Sequence, residues 1–176
     1  NKNLKSSARL LDYRNVSGSY DRIISIEMIE AVGFEYWDSY FKKISESLKP
    51  GGEVMIQGIT IRDEQFENYS QGADFIKKHI FPGGCLISSE RIKQVASRYN
   101  LDLEDEFYFG ASYSQTLLLW RQRFEDKKEE ILKQGFDERF FRMWKFYLDF
   151  CDGAFRAGKI NVGHFRFRKK DWVFKT

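Results

Sequence analysis

Hydrophobic and polar positions in the first third of the chain alternate between strand-like and helix-like patterns. Tyr20 to Ile26 is a short run rich in β-branched residues, typical of a buried parallel strand, and a loop is predicted from Glu27 to Gly33. Apolar side chains then recur at helical spacing, at Trp37, Tyr40, Phe41, Ile44 and Leu48, and Lys-Pro-Gly-Gly at 49–52 ends that helix. Residues 54–61 have the pattern of a second strand. This strand–helix–strand order predicts an α/β sheet with right-handed crossovers.

The middle of the chain predicts two further helices and a third strand. The first helix runs over about 62–79 and is followed by a turn, Ile-Phe-Pro-Gly-Gly at 80–84. Ser88 or Ser89 is placed to cap the second helix, whose inner face contains Ile92, Val95, Ala96 and Tyr99. Leu101 to Phe109 predicts a strand, although it contains four acidic residues, Asp102, Glu104, Asp105 and Glu106.

Aromatic residues at helical spacing dominate the last third. One stripe, Leu117, Trp120, Phe124 and Ile131, predicts a helix that ends at Gly135. Asp137 is placed to cap a second helix with an inner face of Phe140, Trp144, Tyr147, Cys151 and Phe155. Ile160 to Phe167 alternates as a closing strand. We predict a single domain over 1–176 with a helical insertion, lid-like in character, at about 113–158.

Composition narrows the function classes. The formal charge of +3, from 29 basic and 26 acidic residues, is too small to indicate nucleic-acid binding, but it permits contact with an anionic membrane surface. Cys85 and Cys151 have neither metal-ligand nor disulfide spacing, so we expect packed thiols in a reducing cytoplasm. His79 and His164 lack partners at metal-ligand spacing, so we expect ordinary core or surface roles and no metal. No apolar run approaches the roughly 20 residues of a membrane span.

Several sequence blocks, in order along nearly the whole chain, indicate a family. They are Tyr-Asp-Arg-Ile-Ile-Ser-Ile-Glu-Met-Ile-Glu-Ala-Val-Gly at 20–33, Leu-Lys-Pro-Gly-Gly at 48–52, Ile-Phe-Pro-Gly-Gly at 80–84, Phe-Gly-Ala-Ser-Tyr at 109–113, Gly-Phe-Asp-Glu-Arg-Phe at 135–140, and the segment 151–158. Together they resemble cyclopropane-fatty-acyl-phospholipid synthases. The resemblance implies a class I SAM-dependent methyltransferase fold, which is an α/β, Rossmann-like fold.

The resemblance also implies a reaction and a site. In this family the methyl group of SAM is transferred to a cis double bond of a phospholipid acyl chain, and the resulting carbocation closes to a cyclopropane after losing a proton to bound bicarbonate. The bicarbonate ligands fall on Glu30, Gln57, the backbone of Ile59, and Tyr113. The implied partner is an unsaturated phospholipid, met by a cytoplasmic protein peripheral to the membrane, and a homodimer is permitted.

The chain departs from the family pattern at three points. Gln57 stands where well-known relatives have a histidine, and an amide does not titrate. Near the expected adenine site only Asp12 is polar, so Asp12 and the adjoining Ile26 are the cofactor candidates. The glycine-rich SAM turn is not found in 1–10, so we expect an N-terminally truncated domain that is inactive alone and whose first strand presents an unpaired, apolar edge.

Each candidate also has an ordinary structural interpretation. Glu30 could be a loop carboxylate, Gln57 an amide that satisfies nearby backbone, and Tyr113 a packed aromatic. The stripe from Phe140 to Phe155 is either core or the roof of an acyl-chain channel, and the basic residues Arg166, Arg168, Lys169 and Lys170 form a solvated strand end or contact lipid headgroups. Two alternatives to lipid modification stay open: methyl transfer to a small amine or other acceptor, and a non-catalytic module.

Overall fold

The computed structural model describes residues 6–171. Within that range the strands are β1 (Tyr20–Ile26), β2 (Leu48–Ile61), β3 (Ile87–Ser88), β4 (Leu101–Tyr108) and β5 (Ile160–Lys169). The helices are α1 (Ile29–Val32), α2 (Trp37–Ser47), α3 (Asp63–Gln71), α4 (Phe75–His79), α5 (Ser89–Arg98), α6 (Gly110–Asp126), α7 (Lys128–Lys133) and α8 (Glu138–Arg156), with short 3-10 turns at Tyr13–Asn15 and Phe34–Tyr36. No helix in this range is long and apolar enough to cross a membrane.

The strands form one mixed sheet in the order β1-β2-β5-β4, and β3 pairs with the end of β2. β1 and β3 run parallel to β2, whereas β5 runs antiparallel to both β2 and β4. Within residues 6–171, β1 pairs with β2 alone, and along its length Ile24 and Ile26 are 72% and 61% exposed. The prediction that the first strand presents an unpaired, apolar edge is therefore confirmed for residues 6–171, where the other edge of β1 pairs with β2.

The first face of the sheet supports the main core, which we call the first-face core. It contains eighteen buried residues, contributed by the sheet, by helices α1, α2, α3 and α5, and by Cys85 before β3. Val54 and Ile56 of β2 lie beside Phe167 and Phe165 of β5, and paired residues of neighbouring strands share a face. These four side chains are completely buried against the helices.

Helices α6 and α8 cover the second face. The side chains buried between these two helices and the sheet form what we call the second-face cluster. Its buried members are Leu117 of α6, Leu148 and Phe155 of α8, and Val162 of β5. The predicted inner stripe of α8 is confirmed for Phe155, which is buried, and for Trp144, Tyr147 and Cys151, which pack half-buried against the cluster. Phe140 is not part of the cluster, and the prediction missed the buried Phe141 and Leu148. Trp120 of the predicted α6 stripe is 55% exposed.

Several predicted boundaries shift for local reasons. The helix predicted over 62–79 is two helices, because α3 ends at Gly72 and the Asp74 side chain accepts a hydrogen bond from the Lys77 backbone to begin α4. The predicted loop after β1 contains α1. Asp137 caps α8 as predicted, with its side chain accepting from the Phe140 amide at 2.7 Å. Ser88 occupies the cap position of α5 but makes no capping hydrogen bond.

The acidic residues of β4 are compatible with a strand because β4 lies at the edge of the sheet. Glu104 pairs with Arg166 and Arg168 of β5, and Asp102 pairs with Lys170. Lys169 donates to the carbonyls of Ser45 and Leu48 at 2.6 and 2.7 Å. The basic cluster at the end of β5 is thus largely engaged within the protein.

Candidate active site

A polar cluster lies where the C-terminal end of β1 meets the middle of β2. Ile26, the last residue of β1, pairs with Gln57, and the next amide, that of Glu27, donates to the Gln57 carbonyl at 2.9 Å. β2 continues past Gln57 to Ile61, so Gln57 lies within β2, level with the end of β1. Ligands of open α/β sheets bind at this edge.

Glu27, Gln57 and Tyr113 form a closed hydrogen-bonded group at this point. The Gln57 amide Nε2 donates to Glu27 Oε1 at 2.8 Å and to the Tyr113 hydroxyl at 2.9 Å. The Tyr113 hydroxyl donates in turn to the same Oε1 of Glu27. Two predicted site residues, Gln57 and Tyr113, are thereby brought together through Glu27, which sequence reasoning left as the first residue of a loop. Its place directly after the predicted first strand was the available signal.

The orientation of the Gln57 amide is set from β5. His164 pairs in register with Gln57, and its Nε2 lies 2.9 Å from Gln57 Oε1. Because an amide oxygen only accepts, this imidazole nitrogen must donate, which fixes Nε2 of Gln57 toward Glu27. The prediction that His164 has an ordinary core or surface role is therefore incomplete. Strand register, which no local pattern determines, was needed to find it.

Glu30, on the single turn of α1, lies against β2 next to this group. Its Oε1 accepts from the Ile59 amide at 2.5 Å, whereas its Oε2 is buried without a hydrogen-bond partner among the described residues. Burial raises the pKa of the Glu30 carboxyl, the Ile59 hydrogen bond opposes that shift, and the charge of Glu27 adds to it. Glu30 therefore holds its proton to a higher pH than an exposed glutamate does.

Two backbone features allow Glu30 to come this close to β2. The turn at 80–84 is confirmed, and directly after it the Cys85 amide donates to the Glu30 carbonyl at 2.9 Å, which ties α1 to the turn. Gly58 lies between Gln57 and Ile59, and a Cβ at this position would be 3.0 Å from Ile29 Cγ2 and 3.6 Å from Glu30 Oε1. A side chain at residue 58 would therefore push α1 away from the strand.

Aromatic rings border the cluster on the α6 side. The Tyr113 ring lies 5.8 Å from that of Phe109 and 5.5 Å from that of Phe155, and Phe109 also meets the His164 ring at 4.7 Å. Burial raises the pKa of the Tyr113 phenol, and its bond to Glu27 raises it further. Tyr113 is therefore a proton donor in a hydrogen bond and not a source of phenolate at neutral pH.

The two cofactor candidates fit SAM unequally. Asp12 caps its own 3-10 turn and binds the Arg14 side chain through both carboxylate oxygens, at 2.9 and 2.6 Å. The bond to Arg14 lowers the pKa of Asp12 to about 2, and the carboxylate is used locally. Ile26 is exposed beside Glu27 and fits as an apolar contact for a cofactor.

Bicarbonate fits the cluster poorly with the side chains in the positions that this structure gives them. The donors assigned to it by the family resemblance are Gln57, Tyr113 and the Ile59 amide, and each already donates to a carboxylate of the chain, Glu27 or Glu30. A free anion would also lie beside the Glu27 carboxylate, which is electrostatically unfavourable.

Other candidate chemistry is not supported in residues 6–171. No group of histidine, cysteine and acidic residues there could hold a metal ion, and His79 is exposed beside the Phe75 ring. Cys85 is buried in the first-face core and Cys151 is half-buried. Burial raises the pKa of the Cys151 thiol to about 11, so both cysteines are packed thiols as predicted.

The sheet order, the helices on both faces and the polar cluster at the end of β1 define a class I SAM-dependent methyltransferase fold. The cyclopropane synthase MmaA2 from Mycobacterium tuberculosis superposes with a TM-score of 0.81 at 26% identity, over 92% of this chain and 59% of that one. Mycolic acid cyclopropane synthase CmaA1, complexed with SAH and CTAB, gives the same TM-score at 27% identity and the same coverages.

The family model for mycolic acid cyclopropane synthetase matches residues 1–165, and the chain belongs to this family of SAM-dependent methyltransferases and cyclopropane synthases. It is 40% identical to tuberculostearic acid methyltransferase UfaA1 of M. tuberculosis over 154 residues, and 39% identical to cyclopropane-fatty-acyl-phospholipid synthase of Escherichia coli K12 over 153. Each match covers 87% of this chain, but the chain spans only 36% and 38% of those two relatives.

Proposed function

We propose that this chain forms the proton-accepting and substrate-facing part of a SAM-dependent methyltransferase that converts the cis double bond of an unsaturated phospholipid acyl chain to a cyclopropane. The hydrogen-bonded group of Glu27, Gln57 and Tyr113, with Glu30 beside it, is the observation on which the proposal rests. The names of UfaA1 and of the E. coli synthase support a fatty-acyl substrate. Because the chain spans less than two fifths of the length of either relative, the activity of the complete protein is itself part of this proposal.

The residue types suit this chemistry. An alkene has no polar group to activate, so the reaction depends on holding it beside an electrophile in a site that excludes water. SAM, when bound, supplies that electrophile as a sulfonium methyl group. Ile26 would give it an apolar contact, and the rings of Phe109, Tyr113 and Phe155 would stabilise positive charge at the site.

The half-buried side of α8 supports an acyl-chain binding surface. Trp144 and Tyr147 contact each other at 5.2 Å, and Tyr147 meets Phe81 of the 80–84 turn at 6.1 Å. Phe146 and Phe150, 50% and 40% exposed on the same helix, favour an encounter with a membrane. The basic cluster of β5 contributes less to headgroup binding, because it is engaged within the protein. A cytoplasmic, membrane-peripheral location and a homodimer remain predictions.

Lipid mass spectrometry tests the proposal. The complete reading frame that contains this chain is expressed in cells, and their monounsaturated phospholipids are analysed. We expect a gain of one CH2 unit with loss of the double bond, abolished by Tyr113→Phe or Glu30→Ala. Exposed Glu129→Gln, on α7, is the matched control and should leave the product unchanged. The 176-residue chain expressed alone should give no product.

The alternatives predict other outcomes of the same experiment. Folded protein that binds SAM but leaves the lipids unchanged, while methylating an amine in a panel of acceptors, would replace the lipid by a small-molecule substrate. Folded protein that binds no SAM, and methylates nothing, would indicate a non-catalytic module.

A further inference from the structure

Glu27 occupies the centre of the site. Its Oε1 accepts hydrogen bonds from both Gln57 and Tyr113, and its backbone amide donates to the Gln57 carbonyl. Its Oε2 accepts no hydrogen bond from the described residues, and the side chain is exposed. One carboxylate oxygen is thus anchored, and the other is open to a reacting group and to solvent.

The donors that anchor Glu27 are the ones assigned to bicarbonate by the family resemblance. A carboxylate and bicarbonate present the same planar pair of oxygens bearing one negative charge, so the same amide and phenol donors suit either anion. The remaining donor, the Ile59 amide, is satisfied by Glu30. The position that bicarbonate would take as the base is therefore already occupied by a side chain of the protein, the Glu27 carboxylate.

The backbone of Glu27 is unusual in a way that matches this placement. Its φ angle is +49°, a left-handed conformation that costs energy for any residue except glycine. Such conformations persist where the surroundings impose them, and the Glu27 side chain is held here by its hydrogen bonds to Gln57 and Tyr113. A glycine would adopt the same backbone conformation without strain and would leave the base position vacant.

We propose that the Glu27 carboxylate takes the place of a free bicarbonate ion and is the proton acceptor of the reaction proposed above, on which this inference rests. The alkene π electrons form the new C–C bond as the methyl–sulfur bond breaks, which leaves a carbocation. A C–H bond of the transferred methyl group then breaks, and its electron pair closes the ring. The proton passes to Oε2 of Glu27, which releases it to solvent because the side chain is exposed.

The test uses protein from the complete reading frame, with Glu27→Gly, Glu27→Gln and the control Glu129→Gln. Binding of 13C-labelled bicarbonate is followed by NMR line broadening. Methyl transfer to vesicles of unsaturated phosphatidylglycerol is measured in CO2-free buffer, with and without added bicarbonate. Thermal unfolding checks that each variant is folded. Glycine is chosen at residue 27 because it adopts the left-handed backbone conformation of Glu27 without strain.

We expect wild-type protein to bind no bicarbonate and to be active without it. Glu27→Gly should bind bicarbonate, lose about 100-fold in rate in CO2-free buffer, the scale of a general base, and recover when bicarbonate is added. Glu27→Gln should be inactive under both conditions, because an amide keeps the oxygen acceptor but takes no proton. Glu129→Gln should behave as wild type.

Three results would overturn the inference: bicarbonate binding by wild type as tight as by Glu27→Gly, wild-type activity that disappears without bicarbonate, or an active Glu27→Gln variant. A folded Glu27→Gly variant that neither binds bicarbonate nor is rescued by it would also contradict the inference that the Glu27 carboxylate and bicarbonate occupy the same position. If wild type methylates no lipid, the proposed function fails, but the binding comparison still decides whether Glu27 fills the anion position.

Discussion

The two faces of the sheet are packed differently. The first-face core contains eighteen buried residues, whereas the second-face cluster contains four, surrounded by partly buried aromatic side chains. Gln57 and His164 lie on the second face together with Ile59 and Val162, because alternate residues of β2 and β5 share a face. The polar cluster therefore lies on the face that buries fewer residues, where its side chains satisfy hydrogen bonds while Glu27 stays exposed to solvent.

This difference suggests a division of roles. The first face supplies the burial that stabilises the fold, and the second face supplies the chemistry, so substitutions on the two faces should affect different measured quantities. Polar groups in a dense apolar core would be costly unless every donor and acceptor were paired. A half-open face tolerates a carboxylate such as Glu27 because solvent reaches it.

The largest expected effect compares the same substitution on both faces. Phe41→Ala removes a ring that is fully buried against Tyr40 and Phe167 in the first-face core, and should lower the free energy of unfolding by about 3–5 kcal/mol. Phe150→Ala, at a ring 40% exposed on α8, should cost about 1 kcal/mol or less. Urea unfolding measures both, and equal losses would contradict the comparison.

A smaller effect is expected on activity at the second face. His164→Leu removes the donor that orients the Gln57 amide and should lower kcat about fivefold with little change in KM, since a lost hydrogen bond is worth about 1 kcal/mol. His164→Gln, which can still donate through an amide, is the matched variant and should retain most of kcat. Equal losses in the two variants would mean that the ring contributes packing against Phe109 instead.

The smallest effect is a pH dependence of stability from Glu30. Its folded-state pKa is raised, so the folded protein holds this proton more tightly than the unfolded chain does. The stability contributed by protonated Glu30 is present below its ordinary pKa of 4.5 and is lost as pH rises through the folded-state pKa. Urea unfolding across this range should show wild type losing stability relative to Glu30→Gln. A difference that is constant with pH would exclude the linkage.

Much of the fold follows from local pattern. The apolar run of β1, the helical spacing of α2 and the Asp137 cap of α8 each predicted the element that the structure contains. The helix predicted over 62–79 failed because α3 ends before Gly72 and the Asp74 side chain caps a new helix, and the α8 stripe was right for four of its five residues but missed the buried Phe141 and Leu148. An aromatic stripe at helical spacing does not distinguish a core face from a face that borders a substrate site.

Only those site residues that belong to a recognisable sequence motif could be predicted. Glu30, Gln57 and Tyr113 were identified by motif, and the structure places Gln57 and Tyr113 in one hydrogen-bonded group with Glu30 beside it. Glu27 and His164 were missed as site residues, because their positions depend on a left-handed backbone and on the register between β2 and β5. Neither property is encoded in a short sequence window.

The left-handed backbone of Glu27 has a consequence for how such enzymes diversify. Every glutamate codon becomes a glycine codon by a single base change at its second position. At most sites this replacement would loosen the backbone, but at a φ of +49° glycine relieves strain. On our proposal, a lineage could therefore exchange a built-in base for dissolved bicarbonate in one mutational step, and so couple its lipid chemistry to the carbon dioxide content of its surroundings.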